Sequence, residues 1–191
     1  MIKVVELVNN REREYIFADL PDIGYSTDID TVMASSYQVK KQLQQIVKIE
    51  QPITNTLLYK RILRIWNLTR VTTRLQVFID SLLEDAYKDP LSGDTIIYWE
   101  NKEKAKECDF YRINSKRDIL DIPILEVMSA ARYAIEQQIS MPIEDLKRLT
   151  SQLLGFSRKG NNLDMVTEQT IQLLINKGIF SHANGMVSMN N

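Results

Sequence analysis

"QPITNTLLYKRILRIWNLTR" (residues 51–70) decides the fold. Leu57, Leu58, Ile62, Ile65 and Trp66 recur at intervals of three and four, the spacing that lays apolar side chains along one stripe of an α-helix. Thr54 or Asn55 stands where a cap is needed, and Pro52 reads as the start of the stretch. "NLTR" leaves room only for a tight turn before "RVTTRLQVFIDSLLEDAYKD" resumes the period through Leu75, Phe78, Ile79, Leu82 and Leu83. Two helices joined by so short a turn form a helix-turn-helix.

Upstream, "SSYQVKKQLQQIVKIEQP" places Val39, Leu43, Ile46 and Val47 at helical spacing, with Ser35 or Ser36 as cap and Pro52 as its end. Downstream, after Pro90 and Gly93, "DTIIYWE" is β-branched and aromatic and reads as a strand. The charged "ENKEKAKEC" reads as a loop and "DFYRIN" as the returning strand. Three helices followed by paired strands is the order of a winged helix. Residues 1–36 open with a strand-like "IKVVELV" and continue through "YIFADLPDIGYSTDID", whose Pro21, Gly24 and aspartates read as a lead-in or linker.

The second half repeats the order: "PILEVMSAARYAIEQQI" opened by Pro123, "PIEDLKRLTSQLLGF" between Pro142 and Gly155, and "DMVTEQTIQLLINKG" ended by Gly178. Then Asn184-Gly185 sits between two short alternating runs, the strongest local signal for a hairpin. Pro52 matches Pro142, Ile53 Ile143, Leu58 Leu146, Ile65 Leu153, Leu68 Phe156 and Arg70 Arg158, the offset falling from 90 to 88 inside the second helix. The expected fold is therefore mainly α with short β wings, α+β in class, as two tandem winged-helix-like units at residues 37–116 and 117–191 behind the lead-in 1–36.

Charge separates the copies. Residues 1–36 carry a balance of −4, residues 37–79 one of +7, residues 80–122 one of −4, and residues 123–191 are balanced, within a formal net charge of −1. A local excess of this size attracts phosphate even on a neutral molecule. Lys40, Lys41, Lys60, Arg61, Arg64, Arg70 and Arg74 are the candidate nucleic-acid contacts, with Arg70 and Arg74 at the start of the third helix, the groove-facing position of a helix-turn-helix. The corresponding part of the second copy has Arg158 and Lys159 in its turn but Asp164 and Glu168 on the helix, which suits packing or partner contact. Tyr98 and Trp99 read as core residues of a strand more readily than as a stacking platform for bases.

No phosphate loop, dinucleotide-binding fingerprint, nucleophile elbow or zinc-ligand spacing occurs, and one histidine (His182) with one cysteine (Cys108) cannot build a His/Cys metal site. Adjacent carboxylates such as Glu84 with Asp85 and Glu144 with Asp145 fall at helix ends, where capping and dipole roles account for them. The reading is a non-enzyme with no catalytic residues, no metal and no cofactor. A lone cysteine fits a reducing compartment, and the short apolar run at the N-terminus is neither an export signal nor a span, so a cytoplasmic chain without membrane contact is expected.

The residues "IVKIEQPIT" (46–54), "YKRILRIWNLTRVTTRL" (59–75), "TIIYW" (95–99), "RDILDIPILEV" (117–127), "LLGFSRKGNNL" (153–163) and "IQLLINKGIF" (171–180) carry a resemblance to an uncharacterised domain family at the C-terminal end of large bacterial proteins. Those proteins also contain a superfamily-one helicase motor and a very-short-patch-repair-type endonuclease-like domain. Asn67 and Thr72 or Thr73 stand where the family more often has glycine, which leaves the geometry of the turn to the structure. The resemblance implies an accessory module whose partners are DNA and the helicase and nuclease domains of a parent or partner protein. The alternative is a protein–protein interaction or homodimerisation module without DNA binding, presenting Met128, Met141, Met165, Met186 and Met189.

Overall fold

A computed structural model describes residues 9–25, 27–89 and 95–190. They are mixed α and β, mainly helical, and fall into two compact units. One comprises residues 16–108 with Asp121–Pro123; the other comprises residues 9–15, Asp109–Leu120 and residues 124–190. The expected strand at "IKVVELV" lies outside the described residues, as do Pro90 and Gly93.

In the first unit, α1 (Ile29–Ala34) leads into α2 (Ser36–Glu50), followed by β2 (Ile53–Thr54), α3 (Asn55–Ile65), α4 (Thr73–Leu82), β3 (Tyr87–Asp89), β4 (Ile97–Trp99) and α5 (Lys102–Lys106). Asp28, Thr54 and Thr72 cap α1, α3 and α4, accepting hydrogen bonds from the amides of Thr31, Leu57 and Leu75. The predicted stripes form one core: Val39, Leu43 and Ile46 of α2, Leu58 and Ile62 of α3, and Leu75 and Ile79 of α4 are fully buried. β2, β4 and β3 form an antiparallel sheet with β4 in the middle, Ile53 opposite Tyr98 and Tyr87 opposite Trp99.

Three expectations change here. Pro52 does not open α3; it follows a cis Gln51–Pro52 bond and precedes a strand, and Thr54 supplies the cap. The segment "ENKEKAKEC" is not all loop, because Asn101 caps the Lys104 amide at 2.9 Å and good helix formers follow to make α5. "DFYRIN" does form β5 (Tyr111–Ile113), but it pairs parallel with β1 (Glu12–Glu14) in the second unit. The hairpin partner of β4 is β3, cut from the tail of the segment read as the third helix.

In the second unit, α6 (Ile124–Glu136), β6 (Met141–Pro142), α7 (Ile143–Leu153), α8 (Asn161–Asn176), β7 (Phe180–Ala183) and β8 (Met186–Met189) repeat the element order of α2 through β4. The sheet order is again first, last, middle: β6, β8, β7. Asn184 (φ 52) and Gly185 (φ 76) make the predicted two-residue hairpin turn, both in the left-handed conformation it requires. The numbering of the two copies differs by 88 at the starts of the first, second and third helices: Ser36 and Ile124, Asn55 and Ile143, Thr73 and Asn161. This corrects the proline match: Pro142 corresponds to Thr54, and the offset is constant across α3 and α7.

Buried glutamates brace each unit. Glu126, fully buried on α6, accepts from Arg112 and Arg117, both nearly buried, with Arg117 donating to each carboxylate oxygen at 2.8 Å. The Tyr15 ring lies under both guanidiniums, 5.0 and 4.3 Å from its centroid. In the first unit Glu50 holds Arg61 and the Ala18 amide, while Phe17 lies beneath Arg61 and Arg64. Arg11 ties β1 to Asp109 and Glu136.

Candidate nucleic-acid interface

The site is the turn between α3 and α4 with the outer face of α4. Asn67 ends α3 in the left-handed conformation (φ 47), and its amide and that of Leu68 return to the carbonyls of Arg64 and Leu63 at 3.3 and 2.9 Å. In the second unit Gly155 (φ 89) does the same, with Gly155 and Phe156 bonding back to Gln152 and Ser151. Asn67 thus takes the geometry glycine supplies, because its short polar side chain tolerates positive φ. Leu68 and Val71 tuck partly into the core, leaving Thr69 and Arg70 outside.

On α4, Leu75 and Ile79 face inward while Thr73, Arg74, Val77 and Ser81 are exposed at helical intervals of three and four. The one carboxylate within the helix, Asp80, is turned away: the hydroxyls of Tyr59 and Tyr98 donate to it at 2.8–2.9 Å. Burial, then hydrogen bonding to and repulsion from Asp80, raises both tyrosines well above their ordinary range. Tyr98 and Trp99 are core residues, as their strand position suggested.

The seven predicted cations do not act alike. Arg61 is spent on Glu50, which receives its Nε at 2.9 Å and its Nη2 at 2.9 Å. Lys60 sits on both oxygens of buried Asp121 at 2.8 Å. Lys40 pairs with Asp85 (3.2 Å), Arg64 with Asp19 (3.8 Å) and Arg74 with Asp30 (2.8 Å). Lys41 lies over the ring of Tyr37, 4.5 Å from its centroid. Arg70 is exposed and, among the described residues, has no carboxylate within ion-pair distance. Pairing through Asp19, Asp30 and Asp121 was missed because it joins segments distant in sequence; the only trace was the two −4 stretches that flank the +7 stretch.

The corresponding surface of the second unit is mixed in sign. Lys147 bridges Glu144 (3.2 Å) and Glu168 (3.1 Å), and Arg148 pairs with Asp145. A cleft of about 310 Å³ between α7 and the start of α8 is lined by both signs of charge, Arg158 and Lys159 with Asp164 and Glu144. Of the five methionines, Met141 is core and Met128 and Met189 pack against it, leaving Met165 and Met186 exposed. In the first unit an apolar groove of about 340 Å³, floored by Val47, Leu82, Leu83 and Ala86, runs beneath the Lys40–Asp85 pair. No described helix is long and apolar enough to cross a membrane, and no group of metal-ligating side chains gathers among the described residues.

Residues 34–77, which span α2, α3 and the first half of α4, match the family model described as "Protein of unknown function (DUF3320)". The match covers most of the helical core of the first unit and the candidate interface as far as Val77. No curated protein and no solved structure gives a significant match.

Proposed function

We propose that this chain is a non-catalytic DNA-binding accessory module of two winged-helix-like units, in which the first unit docks duplex DNA through the α3–α4 turn and the outer face of α4. The observation that carries this reading is the exposed row of Arg70, Thr73, Arg74, Val77 and Ser81, which contains no carboxylate. The Arg74–Asp30 pair does not block it: both side chains are more than half exposed, and such pairs are worth at most about 1 kcal/mol, so phosphate can replace Asp30. Work beside a helicase motor and a nuclease is the biological setting the sequence resemblance suggests.

Because Arg61 and Lys60 are committed elsewhere, the contact set is smaller than seven. With two or three phosphates neutralised, the log-log dependence of affinity on salt has a slope of roughly −2 to −3. Fluorescence anisotropy on a duplex across a salt series tests this. Arg70→Ala with Arg74→Ala flattens the slope by about two, whereas Lys60→Ala leaves it unchanged. A slope indifferent to the double substitution removes the assignment. Light scattering that finds a dimer and no DNA complex favours the interaction module instead.

A further inference from the structure

We infer that Val77 reads thymine methyl groups in the major groove, making it a specificity residue of the interface proposed above, on which this inference rests. Val77 is 64% exposed in the middle of the outer row of α4, one turn beyond Thr73 and Arg74 and one turn before Ser81. Neither packing nor helix propensity explains it. It is not one of the residues of the buried core, and a β-branched residue is a poorer helix former than the Lys, Glu, Gln or Arg that usually occupy an exposed position.

An apolar side chain framed by hydroxyls and guanidiniums does match one surface of duplex DNA. In the major groove each base pair offers hydrogen-bonding groups, and the thymine methyl is the apolar feature among them. Arg70 and Arg74, at the N-terminal end of the same row, provide the charge complementarity that brings this helix end to the backbone or to guanine, while Thr73 adds a methyl and a hydroxyl beside Val77. The second unit makes the comparison from within the chain. Its equivalent position is Met165, 45% exposed, but Asp164 is exposed next to it and Asn162 replaces Arg74. Arg158 does stand at the place of Arg70, but with Arg74 replaced and a carboxylate beside the apolar site, only the first unit places two cations on the row and no exposed carboxylate next to its apolar residue.

The test uses the full chain and two duplexes of one mixed sequence, the second carrying deoxyuridine at every thymine and so lacking only the 5-methyl groups. Wild-type protein should bind the thymine duplex about four-fold more tightly for each methyl buried against Val77. Val77→Ala, a surface change that leaves the core intact, should bind both duplexes equally and keep the wild-type salt slope. Equal wild-type affinity for the two duplexes overturns the inference while leaving the DNA-binding reading standing, as does a Val77→Ala protein that keeps the preference. Absence of binding to either duplex overturns both. If the wild-type chain self-associates and Val77→Ala makes it monomeric without altering discrimination, the residue belongs to a contact with a second copy.

Discussion

Replacing Glu126 with glutamine strikes the charge that holds the second unit together. Arg112 and Arg117 are 4% and 8% exposed and direct their donors to this fully buried carboxylate. Removing one partner of a buried ion cluster strands the remaining charges and costs about 3–5 kcal/mol. Titration gives a second route to the magnitude. Burial alone would raise the Glu126 carboxyl, but the two guanidiniums outweigh it and hold the group at about 2, against an ordinary 4.5. The lowered value contributes about 3 kcal/mol, fully present above pH about 4.5 and lost as pH falls from there towards 2. Urea unfolding followed by far-ultraviolet circular dichroism, at neutral pH and in steps down this range, measures both. The variant should be destabilised by several kcal/mol at pH 7, and that acid-dependent loss should be absent from it. A neutral-pH loss below about 1 kcal/mol, or an acid limb identical to wild type, refutes the bracing role.

Asp30→Asn removes the carboxylate that competes for Arg74 and should raise duplex affinity a few-fold at low salt, with the gain fading as ionic strength rises; anisotropy titrations check this. Asp80→Ala leaves the buried hydroxyls of Tyr59 and Tyr98 without their acceptor and should cost about 1–3 kcal/mol in urea unfolding. Both tyrosines ionise above their unfolded value near 10, so stability from them is present below that pH and falls as pH rises above it; ultraviolet absorbance should show delayed tyrosinate formation in the wild type and earlier ionisation in Asp80→Ala. Gly155→Ala, forced into φ 89, should lose about 1 kcal/mol, whereas Asn67→Gly at φ 47 should be close to neutral, since the two turns share one geometry.

The three long helices of each unit were legible because their apolar stripes are long and regular, whereas the short α1 and α5 were not, and the second hairpin was legible because Asn184-Gly185 permits few other conformations. What failed was short or non-local. The three residues of β3 continue the helical period of the segment before them, and only pairing with β4 makes them a strand. β5 was recognised as extended, yet sequence carries no sign that its partner is β1, with Glu12 opposite Tyr111. Pro52 misled because a proline suits both the start of a helix and the approach to a strand; the constant offset of 88 emerges only once the caps are located. The cationic excess was legible as composition, but its division into braces, such as Arg61 on Glu50, and outward residues, such as Arg70, depends on side chains brought together by folding. Nothing about Glu50 or Glu126 marks them as buried, since a helical glutamate ordinarily faces water.

The parallel ladder between β1 and β5 fixes the order in which the chain can be completed. The earlier strand waits until Tyr111 has been made for its partner, while everything needed for the three-helix core of Val39 to Ile79 lies between the two strands in sequence. That separation makes the second unit a late assembler with a costly long loop to close. It also warns against trimming: a shortened version beginning at residue 37, chosen to discard an acidic preamble, would strip the partner strand of β5, the Tyr15 ring beneath Arg112 and Arg117, and the Asp30 that shields Arg74.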